Sequence, residues 1–582
     1  MNKDIELENK RKDFFEFKAN ANSSDIFKER LDSYNKERKI KIRKKLFNKE
    51  NCCKEKIKYE KNNEFNISTL SIDKEFKDEF YTKQILDENN FDKIFYFINL
   101  INKESKTIID LNNIKYGLLL LKEKFLLLKD DNLLKELDFI NRYNFKELIF
   151  CLLSFSKNES NKIIFDQDFL TLIYDVIINY SYKSDNTSFL LSERFLNLHT
   201  FFLEFVSEEK SIKNILILIN NLLLDNHNLC GELFVYNNKI FFNKLIELMN
   251  DYPNDIELQQ IILYLFTCYI NNFQNFYMEA KENSNKEIEM KDRTNFYSND
   301  IFESIYNISL MLIFSKQKIL FGNSLYLISN IIKIISKSED FDLFQKLINN
   351  KNFISMILFL LEKDYTDDFY SIIYICDILK SIIKYKYNNN SNHEINELIN
   401  IINSSENTIL IFLINHLLIA DIKEKIIIKI LSLIYILIEN GIYMNKLSTE
   451  EKYEICNIII KLIKSSNYKI RKKSLKIIEK ISNKRDYKLA DFLMKNKILE
   501  YIKEAIDPSI TYCKDEKLIL LGLKTINNLL TLGEVIKSLN GVNSVLLEFE
   551  NIGGKEMLEN LQCNKSQFVY DYTSNLIDNY FN

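Results

Sequence analysis

This chain is almost without helix breakers. It carries 9 Gly and 2 Pro in 582 residues. All-β folds need turn residues every ~8–12 positions, and doubly wound α/β enzymes need Gly-rich phosphate loops. So few breakers supply neither. A hydrophobic fraction of 46% is too high for a disordered chain. The chain is therefore expected to be helical throughout. Its length alone would suggest about four globular domains, yet no Pro-, Gly- or Ser-rich linker separates them. A helical solenoid removes the conflict, because each repeat needs only its neighbours to complete a core.

From about Phe91 onward apolar helical segments recur, separated by short polar clusters. The clusters are SKNES (156–160), DNHN (225–228), DYPND (251–255), KSSN (464–467) and DPSI (507–510). Both prolines, Pro253 and Pro508, fall in them, where they end one helix without breaking another. One equivalent position per repeat gives Asn179, Asn221, Cys268, Asn330, Asp377, Tyr435, Lys480 and Asn528. The steps are 42, 47, 62, 47, 58, 45 and 48 residues. Five of these seven lie close to the ~40–47-residue period of armadillo or HEAT units. The two long steps contain polar insertions, 278–300 and 385–394, expected as surface loops. The expected fold is all-α, an armadillo-repeat right-handed superhelical solenoid of about ten repeats over 91–582, with a C-terminal repeat at about 511–582. A basic arm (1–60) and a polar linker (61–90) precede it.

Charge is unevenly placed. Residues 10–49 hold fourteen Lys/Arg and six Asp/Glu, a net of +8 in a chain of −3, so the remainder carries −11. A basic arm thus precedes an acidic body. The nine Cys and four His are scattered, with no CxxC and no zinc spacing, so no metal or cofactor is expected. The polar start MNKDIELENKRKD does not read as a signal peptide. The longest apolar runs, such as IIIKILSLIYILI (426–438), are shorter than a membrane span and are expected to be buried core helices. Neither a membrane nor a nucleic acid is expected as a partner. No GxGxxG, P-loop, HExxH or GxSxG motif occurs, which argues against an enzyme.

The stretch VNSVLLEFENIGGKEMLENLQCNKSQFVYDYTSNLIDNYF (542–581) resembles the last armadillo repeat of importin-alpha (karyopherin-alpha). Gly553, Gly554, Glu559, Leu561, Gln562, Tyr570, Ile577, Tyr580 and Phe581 match that family in register, and LGLKTINNLLTLGE (521–534) is similar to the helix before them. The basic arm resembles the importin-beta-binding segment at Phe17, Lys18, Lys28, Arg30, Arg38, Lys39, Lys41, Arg43, Lys44 and Lys45. Its central Arg run is thinned to KER, and the run that would occupy the groove without cargo is reduced to NKEN (48–51).

The resemblance implies a nuclear import adaptor that shuttles between cytoplasm and nucleus. Its partners would be importin-beta, cargo with basic nuclear localisation signals and an export receptor at the C-terminal repeat. In that family, indole rings form slots for Lys and Arg stems, and Asn amides hold the peptide backbone. The Trp-x-x-x-Asn pairs correspond here to Asp175/Asn179, Ile217/Asn221, Tyr264/Cys268, Tyr326/Asn330, Leu431/Tyr435 and Lys476/Lys480. The resemblance therefore assigns Asp175, Asn179, Asn221, Asp225, Tyr326 and Asn330 to cargo binding. Trp is absent from the chain, and Lys476 and Lys480 would repel a basic peptide. A second reading stays open: an armadillo scaffold that has lost binding of nuclear localisation signals.

Overall fold

The computed structural model describes residues 91–102, 108–127, 144–157, 167–183, 188–225, 229–282, 299–315, 317–336, 341–348, 350–362, 369–388, 408–418, 423–439, 449–483, 487–507 and 515–581. The arm, with Phe17, Lys18, Lys28, Arg30, Arg38, Lys39, Lys41, Arg43, Lys44 and Lys45, lies outside the described residues, as does the 61–90 linker. Among the described residues the regular elements are helices and no β-strand occurs. The fold is an armadillo-repeat array, divided into two compact units, Met1–Ser298 and Asn299–Asn582.

Each unit is organised by inner helices that stack directly on one another. In the first they are α1 (Ile108–Leu127), α2 (Gln167–Lys183), α3 (Glu209–Asp225) and α4 (Ile256–Glu282). In the second they are α5 (Lys318–Ile335), α6 (Phe369–Asn388), α7 (Glu424–Glu439), α8 (Tyr468–Ser482), α9 (Glu516–Asn540) and α10 (Gln567–Tyr580). Outer helices cover a further side: Leu229–Asp251 lies on α4, Asn299–Leu312 on α5 and Thr449–Ile463 on α8. An inner helix between two neighbours and an outer helix, such as α8, is covered on three sides, which explains why such segments read as largely apolar. In α3, Ile212, Ile215, Leu216, Leu218, Ile219, Leu222 and Leu223 are all buried. Beyond its exposed first turn (Glu209, Lys210), the described part of α3 leaves a narrow stripe, Lys213, Asn214 and Ile217, partly open.

The polar clusters act as helix boundaries. Helices end at Ser156, Asp225, Asp251, Ile463 and Ile506, where the five clusters begin. Asn467, last residue of KSSN, caps α8 by accepting from the backbone N–H groups of Lys469 and Ile470 at 2.9 and 3.3 Å. Asp515 caps α9 through the Leu518 N–H at 3.0 Å. Side-chain acceptors at these positions satisfy donors that no helical partner reaches. Helix extends past the expected start of each insertion, α4 to Glu282 and α6 to Asn388, and residues 283–298 and 389–394 lie outside the described residues. Good helix formers (Met, Glu, Ala, Lys) at 278–282 carry the first extension.

Among the described residues two helices, α5 and the Glu516–Ser538 part of α9, are long and apolar enough to cross a membrane, with 61% and 50% of their spans buried inside the protein. That burial is what armadillo stacking requires of a core helix, and it accounts for their hydropathy.

The core of the first unit holds a titratable group. His199 is buried, and its Nδ1 shares a 2.9 Å hydrogen bond with the Tyr174 hydroxyl of α2. Burial pushes its pKa down to about 4, against a smaller opposing effect of a backbone hydrogen bond. The unfolded chain, with the ordinary value of 6.5, therefore binds a proton that the folded chain refuses between these values. Stability is intact above pH 6.5 and falls as pH drops toward 4, by about 3 kcal/mol at the acid end. Urea unfolding of the first unit is expected to weaken between pH 7 and 5 and to lose most of that slope in His199→Phe. An equal slope in the variant would reject the assignment.

Candidate functional site: the open stripes of the inner helices

Packing leaves a partly exposed stripe on inner helices such as α2, α3 and α5, so these stripes are where the array can meet a ligand. In the first unit the α2 stripe carries Leu172, Asp175, Ile178 and Asn179. Asp175 is already engaged. It accepts from Lys122 Nζ of α1 at 2.5 Å and from Asn214 Nδ2 of α3 at 2.6 Å. One carboxylate therefore ties three successive helices together. Asn179 turns its Nδ2 onto the Asp175 backbone carbonyl of its own helix, at 2.9 Å. Asn221 is buried, 4% exposed, beside Asn220, whose Oδ1 accepts from Cys268 Sγ of α4 at 3.4 Å. Asp225 is the last residue of α3, and its side chain lies outside the described residues. A shallow pocket of about 100 Å³ lies where α1, α2 and α3 meet, with Lys115, Lys122, Lys210, Asp168 and Asp175 on its wall. Charges of both signs meet there, so it selects no single sign of ligand.

In the second unit the α5 stripe includes Tyr326 and Asn330. Asn330 repeats the habit of Asn179, donating its Nδ2 to the Tyr326 carbonyl at 3.0 Å. The Tyr326 ring stands edge-on to Tyr374 of α6, centroids 5.4 Å apart. Asp377 of α6 accepts from Lys429 Nζ of α7, 2.6 Å from each carboxylate oxygen. Further along, Lys476 of α8 sits over the Tyr435 ring of α7 at 3.9 Å. The Tyr435 hydroxyl donates to Glu439, and Lys480 lies 3.9 Å from Glu439 and 4.0 Å from Glu479. Burial, and then the Glu439 carboxylate, hold the Tyr435 phenol well above its usual range.

The structure also places residues that spacing alone did not single out. Lys333, Lys380, Lys429 and Lys473 sit one on each of α5, α6, α7 and α8, all half-buried, with exposed Lys384 and Lys476 beside them. Burial depresses the Lys473 pKa, helped by the charges of Lys380, Lys476 and Lys429. Burial likewise depresses Lys380, aided by Lys384, Lys429 and Lys333 and resisted by Asp377. Among the described residues no ion pair reaches Lys333, Lys380, Lys384, Lys473 or Lys476. Lys333 and Lys380 follow Asn330 and Asp377 by three positions each, on the same helix face; that offset was the available signal.

The C-terminal motif residues have structural work of their own. Gly553 has φ +75°, a left-handed backbone that favours glycine. A Cβ on Gly554 would lie 2.6 Å from the Phe549 ring. Leu561 is buried, Gln562 donates to Ser574 at 3.1 Å, and Tyr580 bonds Thr531 and Asn527 of α9 at 3.0 and 3.3 Å. Phe581 packs on Phe549, centroids 6.2 Å apart. Glu559 and Tyr570 are exposed. Among the described residues no group of three or more His, Cys, Asp or Glu is placed to hold a metal.

A scan against protein families finds no match, and no curated protein matches. Solved structures do. An engineered protein aligns with 84% of this chain and 99% of its own at 11% identity, TM-score 0.52. A structure reported for a phosphorylation switch controlling the interaction between cadherin and beta-catenin aligns with 84% of this chain and 86% of its own at 12% identity, TM-score 0.52. A designed armadillo repeat protein in complex with the peptide (KR)4 aligns with 47% of this chain and 98% of its own at 16% identity, TM-score 0.34. At such identities the first two similarities bear on the fold alone.

Proposed function

We propose that this chain is a non-enzymatic adaptor that holds partner proteins on its inner helices. On the importin-alpha resemblance, its basic arm, residues 1–60, passes the complex to importin-beta, with shuttling between cytoplasm and nucleus. The observation that carries the binding half is the open stripe left on the inner helices by packing, lined by Lys, Asn, Asp and Tyr (for example Tyr326, Asn330, Lys333 on α5). Support for the import half comes from the terminal matches. Glu559 and Tyr570 are the motif positions left exposed, and they would suit an export receptor at the C-terminal repeat.

The second reading, an armadillo scaffold without binding of nuclear localisation signals, is favoured by one pattern. Asn179 and Asn330 both spend an amide donor on their own helices, and Asp175 is held by Lys122 and Asn214. Cargo binding through Asp175, Asn179, Asn221, Asp225, Tyr326 and Asn330 would require those bonds to be exchanged. The two readings separate in a pulldown of importin-beta by the full-length chain and by a chain lacking residues 1–60. Capture that disappears with the arm supports the adaptor. No capture, where a known importin-beta-binding arm captures, removes the import half and leaves the scaffold.

A further inference from the structure

Lys333, Lys380, Lys429 and Lys473 form a ladder with one rung on each of four successive inner helices, and Lys384 and Lys476 widen it. Within that ladder Asp377 is the neutralising carboxylate, and it is already bonded to Lys429. Clustered half-buried ammonium groups are costly for a fold, since each is partly desolvated and repelled by the next. The repulsion is relieved when an anionic ligand is bound.

We propose that the inner face of α5–α8 is a docking site for an acidic, extended segment of a partner protein. The proposal rests on the adaptor reading only in its premise that inner helices hold partners. Packed helices lie about 8–10 Å apart, and an extended chain advances about 3.3 Å per residue. Successive rungs therefore meet carboxylates about three residues apart. The ladder's charges fit a peptide better than a nucleic acid. Asp377 stands among the rungs, and Glu439 and Glu479 stand at the end beside Lys480. A phosphodiester backbone carries a charge at every nucleotide and meets these carboxylates; a peptide spaces its own to avoid them. Tyr326, Tyr374 and Tyr435 on the same helices offer apolar contact between the charged rungs.

The test uses the full-length chain and fluorescence anisotropy, with all probes compared at one salt concentration and the acidic peptide then titrated again at higher salt. The probes are a labelled 14-residue peptide with Glu or Asp at every third position and its Gln/Asn counterpart. A Lys–Arg peptide and a 14-nucleotide oligo-dT complete the set. The acidic peptide is expected to bind about tenfold or more tighter than the neutral one, and to weaken as salt is raised. Lys380→Gln with Lys473→Gln is expected to lower its affinity about tenfold, and exposed Lys476→Ala to lower it several-fold. These variants relieve repulsion, so their thermal midpoints are expected to hold or rise. Lys244→Ala, in the first unit, is expected to change nothing. Failure of the acidic peptide to bind overturns the proposal, and so does binding that the ladder variants leave unchanged. Oligo-dT binding as tight as the acidic peptide, and equally lost in those variants, makes the ladder a nucleic-acid surface and also overturns it. The importin-beta pulldown is independent of all these outcomes, so the adaptor reading stands or falls separately.

Discussion

Asp377→Asn is expected to destabilise the second unit and to tighten its hold on an acidic peptide. The Asp377 side chain is 18% exposed and Lys429 31%, so the pair is worth more than a surface ion pair and less than a fully buried one. Without the carboxylate, Lys429 is left unpaired beside Lys380 and Lys473, which already feel its charge. The cost is about 2 kcal/mol. In a repeat array it is expected locally, as faster hydrogen exchange in α6 and α7 and little change elsewhere. The same substitution removes the negative charge that competes with an acidic ligand, so affinity for the acidic peptide is expected to rise several-fold. Adding Lys429→Gln is expected to restore stability and cancel the gain in affinity, a coupling that a double-mutant cycle measures. If Asp377→Asn instead weakens peptide binding, the carboxylate is part of the recognition surface and the ladder is wrongly assigned.

Gly554→Val is expected to dislodge the C-terminal repeat. The added Cβ falls 2.6 Å from three atoms of the Phe549 ring, which is fully buried and packs on Phe581. The ring or the backbone must shift to admit it, and overpacking of this kind costs about 2–3 kcal/mol. Helix α10 is expected to lose exchange protection while α5–α8 keep theirs. Phe549→Leu in the same chain is expected to recover part of the loss. Gly541→Ala is the control: its φ is +79° with nothing within 4 Å of the added carbon, so only the left-handed backbone is penalised, at about 1 kcal/mol. Equal behaviour of the two variants would mean that the Gly554 contact does not matter.

The array was legible because its periodicity is written in apolar residues, and burial enforces that pattern. Asn179, Asn221, Cys268, Asn330, Asp377, Tyr435, Lys480 and Asn528, chosen as one position per repeat, fall one on each of α2 to α9. The breaks were legible as well, since helices end where the five polar clusters begin and Asn467, last residue of KSSN, caps α8. At the insertions 278–300 and 385–394, polarity alone did not mark where the helix stops: α4 runs on to Glu282 and α6 to Asn388, and 283–298 and 389–394 lie outside the described residues. The stripe residues were harder. Whether an Asn faces a ligand or its own helix depends on a rotamer, and for Asn179 and Asn330 the nearby i−4 carbonyl takes the donor. A salt bridge between helices, such as Lys122–Asp175 or Lys429–Asp377, joins residues some fifty positions apart and leaves no local mark. The lysine ladder is a product of stacking: in sequence its rungs are single lysines in a lysine-rich chain. The shortage of Gly and Pro specified helices, and the helices decided which few side chains remain available.

On this reading, partners are held on the inner helices, and those of the second unit select negative charge. Titration of the full-length chain with the acidic and the Lys–Arg peptides side by side, at physiological salt, tests it most directly. The acidic peptide is expected to bind more tightly, by about tenfold or more, with the preference abolished in Lys380→Gln/Lys473→Gln. Tighter binding of the Lys–Arg peptide, reduced by Asn179→Ala and Asn330→Ala, would contradict it.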